Sequence, residues 1–241
     1  MTTPKAKFAG LALISALCAG FTLGLTAPAW AGFDEGVAAY NRGDFATAIR
    51  EWRPLAEQGH ASAQFNLGLM YGEGEGVPQD YAEAVKWYRK AVAQGLAEAQ
   101  FNLGLMYYNG QGGPQDYAQA LQWYRKAAEQ GYANAQHNLG FMYYNGEGVP
   151  QDDAEAVEWW RKAAEQGYAK AQFNLGVMYN NGAGVPQDDA QAHMWFNLAA
   201  SRLPTGEDRD RAAKNRDIVA ERMTPAQISE AQKLAREWKP K

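Results

Sequence analysis

A chain of 241 residues with 46% hydrophobic content is long enough to bury a core and too apolar to be disordered. Its formal charge of −4 argues against a nucleic-acid binder, for which a basic patch is the first requirement. A single cysteine, Cys18, leaves no disulfide framework and no Cys-ligated metal site.

Residues 1–31 read as a secretory signal segment. Lys5 and Lys7 form a positive start, Phe8 to Leu25 an apolar stretch, and Ala29-Trp30-Ala31 a small-x-small cleavage site. The apolar run approaches spanning length, so an uncleaved anchor is the alternative. Leu17 stands where a lipoprotein signal has a small residue, which argues against lipidation of Cys18. Cleavage after Ala31 is expected to deliver a periplasmic or secreted product that touches a membrane only through the segment before cleavage. That step removes the cysteine and two lysines but no acid, taking the net charge from −4 to −6.

Residues 33–60 predict a short hairpin of helices, Phe33 to Asn41 and Phe45 to Gln58, joined at Arg42-Gly43-Asp44 with Asp44 as N-cap. The Arg-Gly-Asp triplet is explained by that turn and needs no adhesive role.

From residue 61 the chain repeats every 36 residues, as units 61–96, 97–132, 133–168 and 169–204, with Gln64, Gln100, Gln136 and Gln172 in register. A period of that length marks a solenoid of stacked supersecondary units. In the second unit Ala99, Leu103, Met106 and Tyr107 share one helical face, and Gly104 is expected to let a neighbouring backbone come close. Asn109, Gly110 and Gly112 stop that helix, and Pro114 and Asp116 open the next. Val77-Pro78-Gln79-Asp80 and its later copies, each with Glu or Gln three residues on, have the form of a capping box. Ala120, Trp123, Tyr124, Ala127 and Ala128 stripe the second helix, and Gly131 ends it. The fold class predicted is all-α.

Residues 205–241 lose the period and read as a helical cap. Thr224-Pro225-Ala226-Gln227 is a strong helix start, and Ile228, Ala231, Leu234, Ala235 and Trp238 give the helix one apolar face to cover the open end of the stack.

The short hairpin resembles a tetratricopeptide repeat. The four longer units, with A-x-A-Q-x-N-L-G-x-M-Y, G-x-G-[VG]-P-Q-D and A-x-x-W-[YWF], are similar to the Sel-one-like repeat (SLR) of the same superfamily. That resemblance covers residues 33–200 and implies a right-handed α-solenoid that holds proteins or peptides on its concave side. The fourth unit departs from the pattern at Ala192-His193-Met194-Trp195-Phe196-Asn197.

No catalytic, metal or cofactor site is expected. His60, His137 and His193 fall at different positions of three different units, and no metalloprotease helix or serine elbow is present. Gly110-x-Gly112 joins two helices, unlike a phosphate loop, which follows a strand. Asp80, Asp116, Asp152 and Asp188 suit capping better than calcium. Arg89-Lys90, Arg125-Lys126 and Arg161-Lys162 read as a solvated outer face.

The function expected is a non-catalytic scaffold of the bacterial envelope. An envelope hydrolase and a purely structural or regulatory subunit are the alternatives. By the resemblance, Asn66, Asn102, Asn138 and Asn174 point into the groove, where side-chain amides can hold an extended backbone or stitch the solenoid together. Phe65, Phe101 and Phe173, with Tyr108 and Tyr144, are the candidate aromatic anchors. The groove positions that differ between units, Ser62, Glu98, Asn134 and Lys170, would carry individuality.

Overall fold

The computed structural model describes residues 31–241, so the expected signal segment lies outside the described residues except for Ala31, where the first helix begins. Among the described residues there are twelve helices and no strand. They are α1 (Ala31–Asn41), α2 (Phe45–Glu57), α3 (Ala61–Glu73), α4 (Tyr81–Val92), α5 (Ala97–Asn109), α6 (Tyr117–Glu129), α7 (Ala133–Asn145), α8 (Asp153–Glu165), α9 (Ala169–Asn181), α10 (Asp189–Arg202), α11 (Glu207–Ala220) and α12 (Pro225–Glu237). The fold is an all-α helical-repeat solenoid in which consecutive helices pack in pairs. The described residues divide into two compact units, the first ending at residue 123 and the second covering 124–241.

In the first unit, Phe33, Trp52, Leu67 and Met70 centre one core, and Phe65, Tyr88, Leu103 and Met106 a second. In the second, Ala192, Phe196 and Val219 form one cluster and Ala199, Leu203 and Ala212 another. Local chemistry sets the helix ends. Asp44, Asp80, Asp152 and Asp188 each accept from a backbone N–H of the first helical turn, and Asp116 accepts from the Gln119 N–H at 2.9 Å. Sequence predicts a capping box in each long unit, but α4, α8 and α10 have the aspartate half only. Glu83 pairs instead with Lys86 at 2.8 Å. The reciprocal pair forms at Thr224 and Gln227, as that sequence predicts.

Gly74, Gly110, Gly146 and Gly182 end the first helix of each long hairpin in the left-handed conformation. Each loop then folds back. The N–H groups of Asp80, Asp116, Asp152 and Asp188 donate to the carbonyls of Tyr71, Tyr107, Tyr143 and Tyr179 at 2.9, 3.0, 2.9 and 3.0 Å. The second loop glycine lies against the preceding hairpin. A Cβ on Gly112 would stand 2.6 Å from the Tyr81 carbonyl oxygen, and one on Gly184 would stand 2.3 Å from that of Asp153.

The mid-helix glycines admit a ring, and Gly140 also admits the neighbouring backbone that sequence suggests, with the Ala156 carbonyl oxygen 3.1 Å from where its Cβ would stand. A Cβ on Gly68 would stand 2.6 Å from the Tyr88 ring; on Gly140, 2.7 Å from Trp160; on Gly176, 2.6 Å from Phe196. Each aromatic residue belongs to the second helix of the same hairpin. The cost of helical glycine, about 1 kcal/mol relative to alanine, is offset by a large side chain seated where the Cβ would stand.

Two polar ladders tie hairpin to hairpin. Gln64, Gln136 and Gln172 donate their amides to the carbonyls of Ala56, Ala128 and Ala164, at 2.9, 3.1 and 3.2 Å. Their own oxygens accept in turn from Gln94 (to Gln64) and Gln166 (to Gln136), both at 2.8 Å. On the other side, Arg53, Arg89 and Arg161 donate to the hydroxyls of Tyr71, Tyr107 and Tyr179 at 2.9, 2.8 and 3.2 Å, and Arg125 donates to Tyr143. The arginines are therefore links between adjacent hairpins. Arg89 and Arg125 are exposed all the same, as a solvated face requires, and so are the neighbouring lysines, of which Lys90 and Lys162 stand 3.9 Å over the rings of Trp87 and Trp159.

Candidate functional site

The first helices of the hairpins carry the residues singled out for binding, and the two units treat them differently. In the first unit Phe65, Asn66, Phe101 and Asn102 are buried, with Asn66 only 1% exposed. Neither amide atom of Asn66 has a hydrogen-bond partner, nor does the carbonyl oxygen of Asn102. Tyr108 is half-buried against Tyr117, ring centres 5.1 Å apart. In the second unit Asn138, Phe173 and Asn174 are half-buried and Tyr144 is exposed, its ring 5.6 Å from Trp160.

His137 joins the two asparagines of the second unit. It occupies the position held by Phe65, Phe101 and Phe173 in their copies. Its Nδ1 lies 3.3 Å from Asn138 Oδ1, and its Nε2 lies 3.3 Å from Asn174 Nδ2. That pattern assigns the neutral tautomer: Nδ1–H donates to Asn138, and Nε2 accepts from Asn174. Burial, with the Lys170 charge adding to it, pushes the His137 pKa down to about 4, so the ring is neutral at pH 7. The two amides are thereby fixed with a donor of Asn138 and an acceptor of Asn174 left over.

Beside this trio lies a cavity of 220 Å³ lined by residues of α7, α9 and α11 and by Leu203. Phe141, 41% exposed, stands at its edge, and Lys170, Phe173 and Arg211 line it. In the first unit a cavity of 230 Å³ lies between Val85, Met106 and the loop at Gly113. Gly113 stands where Val77, Val149 and Val185 stand in the other hairpins, and a Cβ there would meet open space. The missing valine accounts for that cavity.

A family model, the Sel1 repeat, matches residues 61–96, 97–132, 133–168 and 169–202. The chain belongs to the Sel1 repeat family. Among solved structures, it is similar to a protective antigen with an SLR fold from uropathogenic Escherichia coli, at 35% identity and a TM-score of 0.76. That similarity covers 86% of this chain but 44% of the antigen. A Sel1 repeat protein from Oxalobacter formigenes is 28% identical with a TM-score of 0.66, over 85% of this chain and 98% of that one. A Sel1 repeat protein of Klebsiella pneumoniae, 24% identical over 78% of this chain and 91% of its own, shares the fold with a TM-score of 0.50. A search of curated proteins finds no match. Sel1 repeats generally serve as protein-interaction scaffolds.

Within this Sel1 repeat protein the other two histidines have local settings. His60 caps α3, accepting from the Ala63 N–H at 3.2 Å, and its ring stacks on Phe33 at 4.8 Å. His193 is buried in α10. Lys170 is one of the variable groove positions that sequence picks out, and the structure places it at the cavity. Phe141 and Arg211 escape sequence reasoning. Phe141 carries a weak signal, since its copies are Leu69, Leu105 and Val177. Arg211 carries none, because it lies past the end of the period.

Proposed function

We propose that this protein is an exported adaptor that binds an extended peptide segment of a partner protein on the face formed by the first helices, α7 and α9, of its second unit. The observation that carries this reading is the half-buried Asn138–His137–Asn174 trio. Four identical asparagines make a uniform row, but an imidazole at one place in that row fixes two amides in complementary orientations, as a peptide group requires. The exposed Phe141 and Tyr144 beside it supply apolar contact area. Family membership supports the scaffold role in general. Export rests on the sequence of residues 1–31.

A photo-crosslinking amino acid placed at Phe141, compared with one at the exposed Lys162 of α8, tests the assignment in extracts of the producing cell. The reading predicts a discrete adduct from position 141 alone. Equal labelling from both positions, or none from 141, would count against it. N-terminal sequencing of the envelope fraction should give Gly32 as the first residue.

A further inference from the structure

The cavity beside the trio has chemistry that a uniform amide row lacks. Two cationic side chains reach it from different elements, Lys170 from the start of α9 and Arg211 from α11. Lys170 forms no ion pair among the described residues. Arg211 has one loose acidic neighbour, Asp208, at 3.8 Å with both side chains largely exposed, a pairing worth little in water. Asp208 lines the cavity too, so two cations and one carboxylate face it and the local balance is positive in a protein whose total charge is −4. The apolar part of the lining is Phe141, Phe173 and Leu203, and the Arg211 guanidinium lies 5.9 Å from the Phe173 ring. A volume of 220 Å³ is below the 300 Å³ or so at which drug-sized ligand sites begin, and it suits side chains of a passing peptide better than a cofactor.

We infer that this cavity is a specificity pocket for an acidic side chain next to an aromatic or aliphatic one on the bound peptide, the carboxylate going between Lys170 and Arg211 and the apolar group against Phe141 and Phe173. This rests on the reading that the α7–α9 face binds a peptide, and it adds which peptides are chosen. An internal acidic residue is favoured over a chain terminus because Asn138 continues the amide row past the pocket, so the peptide has further groups to place. Specificity follows from the same arrangement. A peptide with glutamine in place of the acid leaves Lys170 facing a neutral group, and one with lysine there meets two like charges.

Panning a random peptide library on the full chain, in parallel with the Lys170→Glu/Arg211→Glu variant, tests the inference. Both positions are exposed or at the cavity rim, and circular dichroism checks that the variant keeps its helices. The wild-type chain is expected to enrich peptides with Asp or Glu adjacent to Phe, Trp, Tyr or Leu. Binding of a labelled representative should fall at least tenfold when its acid becomes an amide and weaken further as salt is raised. The charge-reversed variant should enrich basic–aromatic peptides instead. Enrichment of peptides without acids, with the same peptides selected by the variant, would overturn the pocket while leaving the peptide-binding face intact. No enrichment on the wild-type chain would overturn both.

Discussion

Helices α8 and α10 are the second helices of consecutive hairpins in the same unit, in the same register, yet they face different surroundings. On α8 the outward positions are Glu158 and Lys162, both exposed. One period later those positions are Met194 and Leu198, 6% and 3% exposed, because α11 and α12 pack on α10. The inward side scarcely changes: Trp160 and Phe196 fill the space left by Gly140 and Gly176 in the same way. The ladders stop where the cap begins. Asn197 replaces the arginine and accepts from Arg216 at 3.2 Å. Arg202 replaces the glutamine, lies 4.5 Å over Trp238, and leaves the oxygen of Gln172 without the donor that Gln166 gives Gln136. A repeat thus keeps the inner face that makes it a hairpin and rewrites only the outer face to end the stack.

The largest effect should come from removing that cover. Ending the chain at Leu203 exposes Met194, Trp195 and Leu198, at about 1.5–3 kcal/mol for each buried side chain. The second unit should lose its cooperative transition in a circular dichroism melt, and the product should aggregate in light scattering. If the truncated chain melts as the whole one does, α10 is no different from α8.

The shared inner face gives the next test. Gly140→Ala and Gly176→Ala each drive a methyl into an aromatic ring and should each cost about 1–3 kcal/mol in denaturant unfolding. Unequal losses would show that the two hairpins are packed differently after all.

A smaller effect at neutral pH should appear with His137→Phe, which restores the residue of the other copies. Between pH 6.5 and about 4 the unfolded imidazole binds a proton that the folded one refuses, so the wild-type chain should lose stability as pH falls through that window. His60 and His193, also lowered by burial, act in the same direction. The variant should show a shallower fall in melting temperature across that range. An unchanged slope would mean that His137 is protonated in the folded state, against the assigned tautomer.

The ladder ends predict the smallest differences. Gln166→Ala strands the oxygen of Gln136 and should cost about 1 kcal/mol. Arg202→Ala removes a contact with Trp238 and should cost about 0.5–1 kcal/mol, since no glutamine depends on it.

What sequence makes legible here is what neighbours in the chain decide. The aspartate caps, the glycine stops and the Thr224 start all depend on residues within one turn or loop, and all three stand in the structure. Gly140 announces a space, but its occupant sits 20 residues away on another helix, and sequence cannot choose between a ring and a backbone. The arginine–tyrosine bonds span 18 residues and emerge only when hairpins stack in register, and the glutamine–glutamine bonds span 30 and emerge only when one hairpin closes on itself. At the candidate site, deviation from the repeat was the usable signal: His137 and Lys170 stand out against their copies. Arg211 has no copy to differ from, and only the packing of α11 on α10 brings it to the cavity.

Hydrogen exchange measured by mass spectrometry, with and without a saturating peptide taken from the panning, is the most direct test of an adaptor that binds on its first helices. The account predicts slowed exchange in Ala133–Asn145 and Ala169–Asn181, unchanged exchange in Asp153–Glu165, and recovery of the peptide intact. Protection confined to α8, or a peptide returned cleaved or modified, would contradict it.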